Sequence, residues 1–179
     1  MKILIFNGSP RKQGNTAAAV KALCDNAASH TTEVFTVVEH NILPCVNCDS
    51  CKKNNGKCAH PDETNLMLDK IMSAGAVIFA TPVYWWGITA QLKTAIDKMY
   101  ARADELKSAP SCKKIGLIII GADEVSNAQY RIITEQFECI CKHLNWELVF
   151  SHPVSAFEAG ELANNPAELD RISSLIQKL

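Results

Sequence analysis

The sequence lacks an excess of charge of either sign. Eighteen Lys and Arg stand against nineteen Asp and Glu in 179 residues, a net charge of −1. Such a balance gives no electrostatic footprint for nucleic acid or for an anionic membrane surface. A membrane-length apolar run is also missing. The longest weakly polar stretch, residues 74–90, is interrupted by Thr81, Pro82, Gly87 and Thr89, so it reads as a buried strand followed by a loop. The opening Met1-Lys2-Ile3-Leu4-Ile5-Phe6-Asn7-Gly8 is too short for the apolar part of a secretion signal and has no small-residue cleavage site. No H-E-x-x-H and no Ser-His-Asp order occurs, which leaves hydrolysis without support. His30, His40, His60, His143 and His152 share no spacing; His60, close to Cys58, reads as a surface residue, with a ligand role as the alternative. There is no repeat, linker or low-complexity segment, so residues 1–179 are expected to form one domain. At 47% hydrophobic and 21% charged, the chain has enough apolar material for a substantial core.

What is present is a regular alternation of apolar runs and helical patterns. Lys2–Phe6 is a short apolar run that stops at Asn7-Gly8, as a buried strand would. Val20, Leu23, Cys24 and Ala27 mark one face of a helix over residues 15–28. A β-branched strand is expected over residues 32–38. A long polar connection, residues 41–63, separates it from a helix marked by Leu66, Met67, Ile71 and Ala74. Further strands are expected at residues 76–80, 114–120 and 146–154. Between and after them, helices are marked by Leu92, Ala95, Ile96 and Met99, then by Ile132, Ile133, Phe137, Ile140 and Cys141. After Pro166 the last is marked by Leu169, Ile172, Ile176 and Leu179. Strict βα alternation predicts an α/β fold, a parallel sheet of five strands with helices on both faces. In such a sheet ligands bind beyond the carboxyl ends of the strands. The loops after Phe6, Val38, Ala80 and Ile120 therefore share one rim.

The first of these loops is Asn7-Gly8-Ser9-Pro10-Arg11-Lys12-Gln13-Gly14-Asn15-Thr16. It runs from a strand into a helix whose N-terminal N–H groups and dipole favour an anion. Ser9, Asn15 and Thr16 offer donors and Arg11 or Lys12 offers charge, so the loop reads as a phosphate site; a merely capped helix, with Asn15 or Thr16 as the cap, is the plain alternative. Neither G-x4-G-K-S/T nor G-x-G-x-x-G is present, so the ATPase and dinucleotide versions of such a site are unsupported.

These residues, together with Thr81-Pro82-Val83-Tyr84-Trp85-Trp86-Gly87 and Gln91-Leu92-Lys93-x-x-Ile96-Asp97, resemble the NADPH-dependent FMN reductase and iron–sulfur flavoprotein group of flavodoxin-like proteins. The likeness covers most of the first hundred residues. It implies strand order 2-1-3-4-5, FMN at the rim, NAD(P)H as electron donor, and a homodimer or homotetramer. It implies that the FMN phosphate is held by Ser9, Arg11, Gly14, Asn15 and Thr16. Around the ring it implies Pro82, Val83, Tyr84, Trp85 and Gly87, with Gly121 from the loop after the fourth strand. Pro82, Val83, Tyr84 and Gly87 are expected nearer the flavin, and at least one of Trp85 and Trp86 at a subunit contact. No nicotinamide motif is visible, and no catalytic side chain is assigned.

Cysteine completes the reading. Cys45, Cys48, Cys51 and Cys58 form a C-x2-C-x2-C-x6-C run within the polar connection. With no secretion signal, the cytoplasm is expected, where thiols stay reduced and clustered cysteines serve as ligands or redox groups. Four thiolates suit a 4Fe-4S cluster or a tetrahedral zinc; metal-free thiols are the remaining alternative. The resemblance favours the cluster, and it extends to the acidic pair Asp62-Glu63 after the loop. Cys24 and Cys141 are read as small core residues, and Cys112 and Cys139 as isolated. The expected activity is an FMN-dependent oxidoreductase passing electrons from NAD(P)H to a small acceptor such as a quinone, a nitro compound, a flavin or a metal centre. The alternative is an iron–sulfur flavoprotein carrying electrons between protein partners.

Overall fold

The computed structural model describes residues 1–27, 29–108 and 113–179. Cys112 and the expected helix end at Ala28 lie outside these residues. Five strands, β1 (Lys2–Asn7), β2 (Thr31–Thr36), β3 (Ala76–Pro82), β4 (Lys114–Gly121) and β5 (Glu147–Ser155), pair in parallel in the order β2-β1-β3-β4-β5. The fold is flavodoxin-like. The central strands β1, β3 and β4 are almost wholly buried, which is why they appear in the sequence as continuous apolar runs.

Alternation along the strands divides the core into two layers. Ile3, Ile5, Ile78, Ile118 and Ile120 face α1 (Asn15–Asp25) and α7 (Pro166–Ser174), packing with Val20, Leu23 and Ile172. Leu4, Phe6, Phe79, Leu117 and Ile119 face the opposite side. There they meet α3 (Thr64–Ser73), α4 (Ala90–Lys98) and α6 (Ala128–Leu144) through Met67, Leu92, Ile133 and Phe137. Two one-turn helices complete the described set, α2 (Ser50–Lys53) inside the polar connection and α5 (Ala103–Lys107).

Several boundaries and faces differ from expectation. Strand β2 stops at Thr36, because residues 37–39 close into a 3-10 turn that carries Val37 into the core. Leu66 and Ile132 point to solvent; Leu68 and Tyr130 take the buried positions. Trp146 precedes β5 and is buried, with Nε1 donating to Leu106 O at 3.2 Å. Cys141 is buried as expected, whereas Cys24 is only half-buried. Gly116 sits at a register shift between β4 and β5, where a Cβ would stand 2.2 Å from the Phe150 ring. Among the described residues no helix is long and apolar enough to cross a membrane.

Candidate functional site

The carboxyl ends of β1, β3, β4 and β5 surround an open cleft. The β1 loop is folded by its own polar groups: Asn7 Oδ1 accepts from Ser9 N at 3.1 Å and Ser9 Oγ from Arg11 N at 3.1 Å. Gly8 is locked beneath α4. Its N–H donates to Ala80 O at 2.8 Å, its carbonyl accepts from Thr89 Oγ1 at 2.6 Å, and a Cβ would meet Leu92 Cδ2 at 2.9 Å. Thr89 also caps α4, accepting from Leu92 N at 3.2 Å. One hydroxyl thus fixes both the helix that follows the aromatic loop and the start of the β1 loop, a role that nothing in the sequence motif announces.

Ser9, Arg11, Gly14, Asn15 and Thr16 all line the cleft. The N-cap of α1 is Gly14, with no side-chain cap, and no acidic residue lies in the first turn. The first-turn N–H groups therefore lack a side-chain cap and face the cleft with the helix dipole behind them. Among the described residues Arg11 has no ion pair and the Thr16 hydroxyl no hydrogen bond. An anion-bearing group would meet unspent donors there. Asn15 differs: Nδ2 donates to Ala156 O at 3.2 Å and Glu158 O at 2.9 Å, and Oδ1 accepts from Leu162 N at 3.1 Å. It is neither the cap nor a free donor.

Pro82, Val83, Tyr84 and Gly121 also line the cleft; Trp85 and Gly87 do not. The reason is a tight turn. Tyr84 N donates to Gly87 O at 2.9 Å and Gly87 N to Tyr84 O at 3.0 Å, with Trp85 and Trp86 at the two central positions at φ of 50° and 58°. This is the geometry usually given to Asn-Gly, and for two tryptophans the left-handed backbone stores about 1–3 kcal/mol each. The turn throws Trp85 outward, 92% exposed, with Trp86 53% exposed. The amides of Val83, Tyr84 and Gly87 are spent within the protein, the first on Ile120 O at 2.7 Å. Backbone donors from these three residues to a ligand are thus not on offer.

The fourth wall is one the sequence reading missed. Ala156, Phe157 and Ala159, after β5, line the cleft, with Ile120 and Ala122 beside Gly121. Phe157 is 69% exposed. The available signal was an aromatic residue just past the carboxyl end of a strand. Tyr130 braces this wall from below, its hydroxyl 2.8 Å from Asp123 O and 3.1 Å from Val154 O. Burial pushes its phenol above the ordinary value. A Cβ on Gly121 would meet that hydroxyl at 2.8 Å.

The cysteine loop hangs from the same rim. Its neck is closed by the acidic pair. Glu63 accepts from Asn41 N at 2.7 Å and pairs with His40 Nδ1 at 3.0 Å, while Asp62 accepts from Leu43 N at 3.0 Å and Thr64 N at 3.0 Å. His40 in turn stacks on Phe35, ring centroids 3.8 Å apart. Lys98, buried at the end of α4, reaches Asp62 at 3.2 Å and Cys58 Sγ at 3.4 Å. Burial opposes the charge on both partners, but it is outweighed. Hydrogen bonds from Leu43, Thr64 and Lys98 hold Asp62 below its ordinary pKa, and Asp62 and Cys58 hold Lys98 above its own. Asn65 clamps Cys58 through both backbone groups, at 2.9 and 3.0 Å.

Cys45, Cys48, Cys51 and Cys58 face one concavity and carry no disulfide. Asn47, Asp49, Asn55 and Gly56, between the first and last of them, adopt left-handed backbone. The Ser50 hydroxyl and N–H hold the Cys48 thiol below its ordinary pKa. The donor chemistry fits a soft metal centre. Among the described residues no three or more His, Cys, Asp or Glu stand close enough to hold an ion.

The sequence model of the NADPH-dependent FMN reductases matches residues 1–137. Among curated proteins, an iron–sulfur flavoprotein of Methanocaldococcus jannaschii is 35% identical over 100 residues, 55% of this chain and 51% of that protein. The chain spans about half the length of the first curated relatives it matches. A Bacillus subtilis protein named as an NAD(P)H-dependent FMN-containing oxidoreductase is 30% identical, covering 78% of this chain and 77% of that one. Among solved structures, the NAD(P)H:quinone oxidoreductase of Methanothermobacter marburgensis superposes with a TM-score of 0.74 at 14% identity, over 99% of this chain and 96% of that one. At that identity the superposition establishes the fold, and the sequence match establishes the kinship: the chain belongs to the NADPH-dependent FMN reductase family.

Proposed function

We propose that this protein is an FMN-dependent oxidoreductase that takes electrons from NAD(P)H and delivers them to a small acceptor such as a quinone, a nitro compound, a flavin or a metal centre. The observation that carries the reading is the composition of the cleft. One end offers the unspent donors at the start of α1, the Thr16 hydroxyl and Arg11; the other is walled by Val83, Tyr84 and Phe157. A flat ring bearing a phosphate matches that division. Bound there, FMN supplies hydride acceptance at N5 and passage of electrons onward.

The chain's own residues do the rest. The α1 terminus, Arg11 and the Thr16 hydroxyl would hold the phosphate, with Ser9 and Gly14 shaping the loop around it. Pro82, Val83, Tyr84 and Gly121 would hold the ring, and the open side would leave room for donor and acceptor. Trp85 and Gly87 stand outside the cleft in this chain. The outward Trp85-Trp86 turn fits a subunit contact in a homodimer or homotetramer, since aromatics concentrate at such contacts.

The cysteine loop supports a second reading, an iron–sulfur flavoprotein relaying electrons between redox proteins. The four cysteines lining one concavity favour it. Cys45, Cys48, Cys51 and Cys58 would then ligate a 4Fe-4S cluster, a centre that stores single electrons.

Anaerobic turnover separates the two. The FMN-loaded protein should oxidise NADH or NADPH steadily with a quinone or nitro acceptor. Reduction by neither nicotinamide, but by a low-potential protein donor, would replace the first reading with the second.

A further inference from the structure

We propose that Asn15 is a positioning residue: its side chain builds the wall of the cleft formed by residues 156–162 and does not contact the phosphate. The assignment of ring and phosphate ends rests on the FMN reading above. The family resemblance would make Asn15 a phosphate ligand, and the hydrogen bonding argues otherwise.

An Asn amide has two N–H donors and an oxygen with two lone pairs. Here both donors are spent on carbonyls of one loop, Ala156 O and Glu158 O, and the oxygen accepts from Leu162 N in the same loop. What remains is one acceptor lone pair, which a phosphate oxygen cannot use. To donate to phosphate, the side chain would have to abandon the loop.

The loop in turn depends on Asn15. Its interior is a small closed turn in which Glu161 accepts from Phe157 N at 2.7 Å and Glu158 N at 2.9 Å. That turn is anchored at one end by Ala156 N donating to Gly121 O at 2.8 Å, and at the other by Leu162, buried against α1. Asn15 bonds to both ends and the middle, so it sets where the turn sits and where Phe157 edges the cleft. Because Asn15 is the first residue of α1, the same residue carries a backbone N–H at the phosphate end and fixes the ring-side wall.

The same helix provides a control. Asn26, after its other end, donates to Ser173 O at 3.1 Å, tying α1 to α7 away from the cleft. Asn15→Ser and Asn26→Ala are therefore compared by hydrogen exchange on the flavin-free protein, by thermal unfolding, and by titration with FMN and with riboflavin, which has no phosphate.

The proposal expects Asn15→Ser to speed exchange of the Leu162 amide and of residues 156–162 by about tenfold or more. It expects FMN and riboflavin affinities to fall by a common factor, about tenfold. Asn26→Ala should lower the unfolding temperature comparably while leaving both affinities unchanged. Unaltered exchange at Leu162 overturns the proposal. A loss confined to FMN also overturns it, since that marks a phosphate contact. Equal affinity losses in Asn26→Ala reduce the effect to general destabilisation and overturn it too. If the wild-type chain binds neither flavin, the FMN reading fails by itself, and the exchange result alone decides whether Asn15 holds the loop.

Discussion

The cleft and the cysteine loop occupy the same rim, yet they are held by opposite means. The cleft is made of short loops that leave buried strands directly, so the sheet register places their backbone: Gly8 against Ala80, Val83 against Ile120, Ala156 against Gly121. The cysteine loop is a long excursion whose conformation comes from left-handed residues within it and from side chains elsewhere. Asp62 and Glu63 close its neck, and Lys98 and Asn65 fasten Cys58. The first region follows from topology, trimmed by the side chains of Thr89 and Asn15. The second is a consequence of a few polar groups, and it should fail separately.

The largest effect is expected at Lys98. Lys98→Met leaves the Asp62 carboxylate buried without its cation, a change that costs about 3–5 kcal/mol. Chemical denaturation should show that loss, and Lys98→Met/Asp62→Asn should recover part of it. A loss near zero would mean that the loop does not depend on this pair. Next is Gly8→Ala, which forces a methyl against Leu92 and the Ala80 carbonyl and should cost about 1–3 kcal/mol. Its damage should appear as weakened FMN binding, with cysteine-loop exchange unchanged. If the loop loosens as well, the two regions are not independent.

Replacement of Cys45, Cys48, Cys51 and Cys58 by Ser sharpens the contrast from the other side. Iron uptake on anaerobic reconstitution should vanish while FMN stoichiometry stays as in the wild type. The smallest effect is electrostatic and lies outside both regions. Hydrogen bonds from Lys2, at 2.8 Å, and from Lys70 hold Glu33 below its ordinary pKa. A depressed carboxylate contributes stability that is fully present above its unfolded pKa and is lost as pH falls through the folded value. Glu33→Gln should therefore lower stability at neutral pH by at most about 1 kcal/mol and converge with wild type in acid. Urea midpoints measured from pH 7 down to pH 3 check it, and parallel curves would contradict it.

The same contrast explains what the sequence disclosed. The elements and the parallel sheet covered on both faces follow from apolar periodicity, because β1, β3 and β4 are buried on both faces; the strand order comes from the family resemblance. Ser9 to Thr16 and Pro82 to Tyr84 could be read because motif and strand end coincide. Thr89 could not, since it belongs to no motif and acts through a contact with distant Gly8, and Phe157 had only its place past a strand end to mark it. The outward Trp85-Trp86 turn was hidden for another reason: two tryptophans are poor residues for left-handed backbone, so local propensity pointed away from it. In the cysteine loop the thiols were plain. The buried Lys98 beside Cys58 was not, because a lysine on an otherwise amphipathic helix reads as a solvated one.

The central claim is that the cleft, and not the cysteine loop, makes this protein a flavoprotein. Anaerobic isolation followed by joint quantification of FMN and iron per chain tests it most directly. The account predicts one FMN per chain in wild type and in the four-serine variant alike, with any iron confined to the wild type. Iron without FMN in the wild type, or loss of FMN together with the cysteines, would contradict it.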